Sequence, residues 1–156
     1  MSKWAQLEQD ITEWLKSFAT DQVHFRNSYQ AITGFPFDGF RSDGMLSDEN
    51  VLLAVEVEAG QMHPDTNVGK YWLLHDQFKA YKKIVLFHIY TPLFNSYGWR
   101  MKLGEFYAGK MKADVPIEYV LLDYRSRAEE DYDTVLAEIK SKVQEAIRRE
   151  FGDKDI

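Results

Sequence analysis

Apolar residues fall at helical spacing at the start of the chain. Trp4, Leu7, Ile11, Trp14, Leu15 and Phe18 alternate with Glu8, Asp10, Glu13 and Lys16, which predicts an amphipathic helix over residues 3–19. The period then shortens. Stretches around Gln22–Ile32 and Phe37–Leu46, broken by Gly34, Pro36, Gly39 and Gly44, predict two strands with tight turns. A polar turn, Ser47-Asp48-Glu49-Asn50, leads into Val51–Val57, a nearly continuous apolar run with β-branched content that predicts a strand buried on both faces. Two glutamates interrupt its end.

Val68, Tyr71, Trp72, His75 and Phe78 recur at helical intervals between Asn67 and Lys82, with Asp65 or Thr66 available as a cap. Lys83–Tyr90 predicts another buried strand, and a strand, helix, strand order of this length implies a crossover connection. Thr91–Asp114, aromatic and punctuated by glycine, is expected to form a long loop or hairpin excursion. Ile117–Tyr124 predicts a strand, and Tyr132, Val135, Leu136, Ile139, Val143, Ile147 and Phe151 mark a C-terminal helix opened by Glu129, Glu130 and Asp131. The order implies a single α/β domain over residues 1–156, with a mixed sheet flanked by helices.

Composition narrows the functional classes. A chain of 156 residues buries enough surface for a core of its own, and the absence of cysteine excludes a disulfide framework, a thiolate zinc site and a cysteine nucleophile. No apolar run is long enough to span a membrane and no secretory signal is apparent, so a cytoplasmic protein is expected. The net charge of −6 argues at first against a nucleic-acid partner. Its distribution reverses that reading. Residues 66–113 hold Lys70, Lys79, Lys82, Lys83, Arg100, Lys102, Lys110 and Lys112 against Asp76 and Glu105, interleaved with aromatics that include Tyr97, Trp99, Phe106 and Tyr107. Basic groups among aromatics suit a phosphate backbone with bases to stack, or else an apolar core beneath a solvated lysine surface. The segment Ser96–Lys102, with Trp99, Arg100 and Lys102, is the candidate substrate-contacting loop.

The chemical signal is Val55-Glu56-Val57-Glu58. Alternation along a strand places both glutamates on one face with Cα atoms about 6.7 Å apart. Two buried like charges need compensation, and a divalent cation supplies it; Asp43, beside Gly44 on the preceding strand or turn, is a third oxygen donor. Such a set suits Mg²⁺ or Mn²⁺ better than zinc. The competing reading is an edge strand with a solvated acidic face, which the apolar Leu52-Leu53-Ala54-Val55 disfavours. A glycosidase pair across an open cleft fits two acids on one strand poorly. Gln61, His63 and Asn67 follow the pair as polar loop or site residues, and His24, His75 and His88 lack metal-ligand spacing. His75 is expected to be a satisfied core histidine. Glu8 or Glu13 could join the acids, although surface placement is the expectation for both.

Over residues 3–124 the order and these residues together resemble the PD-(D/E)XK nuclease superfamily, the restriction-endonuclease-like fold with an α-β-β-β-α-β core. Asp43 matches the family's first acid, Glu56 the second, and Glu58 stands where the family has lysine, as in the glutamate variant of some type II restriction endonucleases. The resemblance implies an Mg²⁺- or Mn²⁺-dependent nuclease acting on DNA, with Asp43, Glu56 and the Val57 carbonyl around the metal and Glu58 serving beside them. Lys70, in the first turn of the following helix, replaces the missing cation. The small size implies a homodimer or a larger complex. The alternative is a module of the same fold that binds nucleic acid or protein without catalysis.

Overall fold

The computed structural model describes residues 2–28, 41–60, 63–78, 81–94 and 98–152. After a 3₁₀ turn at Lys3–Gln6 comes α1 (Leu7–Lys16), then strands β1 (His24–Ser28), β2 (Arg41–Ser47) and β3 (Val51–Glu58). Helix α2 (Thr66–Phe78), strand β4 (Lys83–Tyr90), helix α3 (Gly98–Met111), strand β5 (Ile117–Asp123) and helix α4 (Tyr132–Phe151) complete the order. The described strands form one mixed sheet in the order β1-β2-β3-β4-β5. β1, β2 and β3 pair antiparallel, whereas β3, β4 and β5 run parallel, joined by the two helical crossovers α2 and α3. The chain is therefore an α/β structure with a five-stranded mixed sheet flanked by helices.

β3 and β4 read as continuous apolar runs because both of their faces are covered. Leu53, Val55, Val57, Val85 and Phe87 pack against Leu7, Ile11 and Leu15 of α1 and Val135, Ile139 and Val143 of α4. Leu52, Ala54, Ile84 and Leu86, on the opposite face, pack against Val68, Tyr71 and Leu74 of α2 and Ala108 and Met111 of α3. Each large side chain fully withdrawn from water in this way contributes roughly 1.5–3 kcal/mol. The Tyr132 hydroxyl donates to Asp10 at 2.5 Å and joins α4 to α1.

Several expected boundaries shift. The first helix opens with a 3₁₀ turn that carries the buried Trp4 and continues as a ten-residue α-helix that ends at Lys16. The larger correction is at Thr91–Asp114, which holds α3 where a loop or hairpin was expected. Its inward positions Met101, Gly104, Ala108 and Met111 keep helical spacing, but two of them are too small to show in an apolar pattern. Parts of the expected strands over residues 29–40, and Gln61, Ser96 and Tyr97, lie outside the described residues. No helix among the described residues is long and apolar enough to cross a membrane.

Candidate acidic site

The register of the sheet brings the acids together. Gly44 of β2 lies opposite Val55 of β3 and Met45 opposite Ala54, so one further step along the two strands sets Asp43 beside Glu56 on adjacent strands. The Asp43 carboxylate accepts a hydrogen bond from the Val57 N–H at 2.6 Å. Burial pushes the Asp43 carboxyl up to about 8, helped by the negative charge of Glu56 and by Glu8, while the Val57 amide pulls the other way. Glu8 is on α1, one turn before Thr12, whose hydroxyl donates to the Asp43 carbonyl at 3.1 Å. Glu8 is thus exposed, as expected, yet close enough to act on Asp43. Glu13 stays on the surface and pairs with Lys16 at 3.3 Å.

Glu56 is 2% exposed. Burial raises its pKa, and the nearby Lys70 ammonium and the Tyr71 hydroxyl lower it. Lys70 Nζ lies 2.5 Å from Glu56 Oε1, and the Tyr71 hydroxyl donates to the same oxygen at 2.8 Å. The cation therefore comes from α2, where the helix passes over the acidic end of β3. Lys70 also donates to Asn67 Oδ1 at 3.1 Å, and Asn67 Nδ2 donates to Glu58 Oε1 at 2.5 Å.

Glu58 is fully buried, and the same oxygen lies 2.8 Å from His88 Nε2. His88 Nδ1 is 2.6 Å from the Tyr119 hydroxyl. A carboxylate only accepts, so with Glu58 ionised Nε2 carries the proton and Nδ1 accepts from Tyr119. Glu58 Oε2 and the Tyr90 hydroxyl are buried with no hydrogen-bond partner among the described residues. Burial holds the Tyr90 and Tyr119 phenols well above the usual range, so both remain neutral.

A hydrogen-bonded run thus extends from Asn67 and Glu58 through His88 to Tyr119, with Lys70 linking it to Glu56. Sequence reasoning missed His88, Tyr71 and Tyr119. The signal for His88 lay in the pairing of the strands, because parallel register sets it beside Glu56 and sets Tyr90 beside Glu58. His75 is also corrected: it is half-buried, and its Nδ1 lacks a partner among the described residues. His24 and His63 are exposed.

No family model matches the chain, and neither do the curated proteins or solved structures with which it was compared. The donors themselves decide what the site can hold. No group of three or more histidine or carboxylate side chains among the described residues is arranged to hold a metal ion. Asp43 and Glu56 nevertheless form a close, buried, oxygen-only pair beside the Val57 backbone. Mg²⁺ characteristically takes one or two carboxylates and completes its shell with water or substrate phosphate. The pair fits that ion. Glu58 Oε1 is already held by Asn67 and His88, and its second oxygen is buried without a partner among the described residues.

Trp99, Arg100 and Lys102 sit on α3 rather than on a loop. Arg100 Nη1 is 3.5 Å from Asp65 Oδ1, just before α2. Trp99 and Lys102 are exposed. The helix passes close to the site at Gly104, where a β-carbon would stand at ordinary contact distance, 3.5 Å from Val68 Cγ2 and 3.9 Å from the Tyr90 hydroxyl.

Proposed function

We propose that this protein is a nuclease of the restriction-endonuclease-like fold that hydrolyses phosphodiester bonds in DNA with Mg²⁺ or Mn²⁺. The observation that carries the reading is the convergence of Asp43 and Glu56 on adjacent strands with the Lys70 ammonium 2.5 Å from Glu56. Two acids beside a cation are what in-line attack on a phosphate requires: negative donors for a metal, and a positive group for the charge that develops on the phosphoryl oxygens. Asp43, Glu56 and the Val57 carbonyl would hold the metal. When bound, it lowers the pKa of water and offsets charge on the scissile phosphate.

The remaining work falls to the chain's own groups. Lys70, paired with Glu56, would supply the positive charge for a phosphate oxygen. Glu58 would orient the attacking water through its unpartnered Oε2, and His88 and Asn67 fix the angle of that carboxylate. The basic, aromatic segment 66–113 supplies the attraction that the chain's total charge of −6 lacks. Cutting both strands of a duplex with one small site calls for a homodimer or a larger assembly.

The test is cleavage of plasmid and labelled oligonucleotide DNA in Mg²⁺, Mn²⁺ and EDTA by the wild type, Glu56→Ala and Lys70→Met. Metal-dependent cutting that both variants lose by 100-fold or more, on the order of a lost charge-stabilising group, supports the reading. Metal-independent cutting, or cutting retained by Glu56→Ala, overturns it. A second reading, a non-catalytic binding module, draws on Lys70 already pairing with Glu56. It is favoured if Mg²⁺ and Mn²⁺ leave the melting temperature unchanged and DNA binds uncut.

A further inference from the structure

Helix α3 turns its largest rings outward. Trp99 is 53% exposed and Phe106 is 57% exposed, while Gly104 and Ala108 face inward. Seven residues apart, the two rings share one side of the helix at a separation of about 10 Å. Each carries a cation. The Arg100 guanidinium stands 4.5 Å from the Trp99 ring centroid, and Lys110 Nζ stands 5.5 Å from that of Phe106. Lys102 is exposed on the turn between them. Glu105, the acid of this helix, is exposed next to Phe106.

Charge complementarity selects the occupant. The core of a protein interface is depleted in lysine, because its ammonium must be stripped of water without a matching partner. A polyanion with aromatic faces matches rings and cations together. Paired bases hide their faces within the duplex stack, so rings standing on a helix surface reach only bases that are unpaired.

We infer that the outer face of α3 is a binding track for an unpaired nucleic-acid strand, with bases stacked on Trp99 and Phe106 and phosphates on Arg100, Lys102 and Lys110. The inference rests on the proposed function in taking the same polymer as ligand, and it adds the surface and the strand form. Arg100 contacts Asp65, two residues before the Asn67 that holds Glu58, so the Trp99 end of the track adjoins the acidic site.

The experiment measures binding of fluorescein-labelled oligothymidylate and of a duplex of the same length by fluorescence anisotropy in EDTA, where metal-dependent cutting is off. The single strand binds more tightly and quenches tryptophan fluorescence. Trp99→Ala and Phe106→Ala each weaken it about tenfold with unchanged melting temperature, the loss of one stacked base. Lys102→Glu weakens binding and reduces its salt dependence. Equal affinity for duplex and single strand, or affinity indifferent to both ring variants, overturns the inference. So does a dimer in sedimentation that Phe106→Ala abolishes, which makes this face a contact between copies of the chain. Ring-dependent binding without cleavage in Mg²⁺ supports the track while sinking the hydrolytic reading. Cleavage with ring-independent binding does the reverse.

Discussion

Lys70→Met removes the ammonium from a pair whose side chains are 8% and 3% exposed and whose atoms lie 2.5 Å apart. The Tyr71 hydroxyl remains on Glu56, but an ionised carboxylate without its cation cannot stay buried cheaply, and breaking such a pair typically costs about 3–5 kcal/mol. Glu56 has an escape, which is to take up a proton. For a carboxyl of ordinary pKa near 4.3, protonation at pH 7 costs about 3.7 kcal/mol, at about 1.36 kcal/mol per unit. That route caps the loss at roughly 3–4 kcal/mol at pH 7 and cuts it to about 1 kcal/mol at pH 5. The sign follows from linkage: in the variant the folded pKa of Glu56 lies above the unfolded one, so stability is full at low pH and drains as pH rises. At about 2–4 °C per kcal/mol for this length, the melting temperature falls by about 10 °C at pH 7. Urea denaturation in EDTA at both pH values, for Lys70→Met, Glu56→Gln and the double variant, checks the argument. A deficit equal at pH 5 and pH 7, or a coupling energy below about 0.5 kcal/mol in the cycle, refutes it.

Three further outcomes follow from the same geometry. Asp43 keeps its proton up to about 8, whereas in the unfolded chain it ionises near 3.8, so metal-free stability declines across that window by at most about 1.4 kcal/mol per pH unit. Asp43→Asn flattens the decline and raises the urea midpoint at pH 8; an unchanged slope counts against the buried-acid account. His88→Phe takes one partner from Glu58 and leaves the Tyr119 hydroxyl unpaired, costing about 1–3 kcal/mol in chemical denaturation, and a loss within 0.5 kcal/mol, about the spread of neutral surface changes, contradicts the assigned contacts. Gly104→Ala places its methyl at ordinary contact distance from Val68 and Tyr90 and raises stability by up to about 1 kcal/mol through helix propensity, whereas a drop shows α3 packs more tightly than described.

The strands were legible wherever burial imposes an apolar run. Lys83–Tyr90 has the same limits in sequence and structure, because both of its faces are covered and its ends are abrupt. Glu56 and Glu58 stood out because acids inside such a run contradict it. Helix α3 was not legible, since reading a helix from periodicity assumes that large apolar residues point inward. Here Gly104 and Ala108 line the packed side while Trp99 and Phe106 face water. His88 and Tyr119 were hidden for another reason. Each is an unremarkable residue in its own strand, and each gains a role only when parallel pairing lays β4 beside β3 and β5 beside β4.

Glu56, Glu58, Lys70, His88 and Tyr119 belong to four separate elements, and the last of them lies in β5, the outer strand of the parallel half of the sheet. The run of hydrogen bonds from Asn67 to Tyr119 therefore cannot close until both crossovers have been threaded and β5 has docked. A chain still emerging from the ribosome carries Asp43 and Glu56 long before it carries the tyrosine that braces His88. The assembled run is thus a signature of completed folding, because the brace on His88 comes from the last strand to arrive.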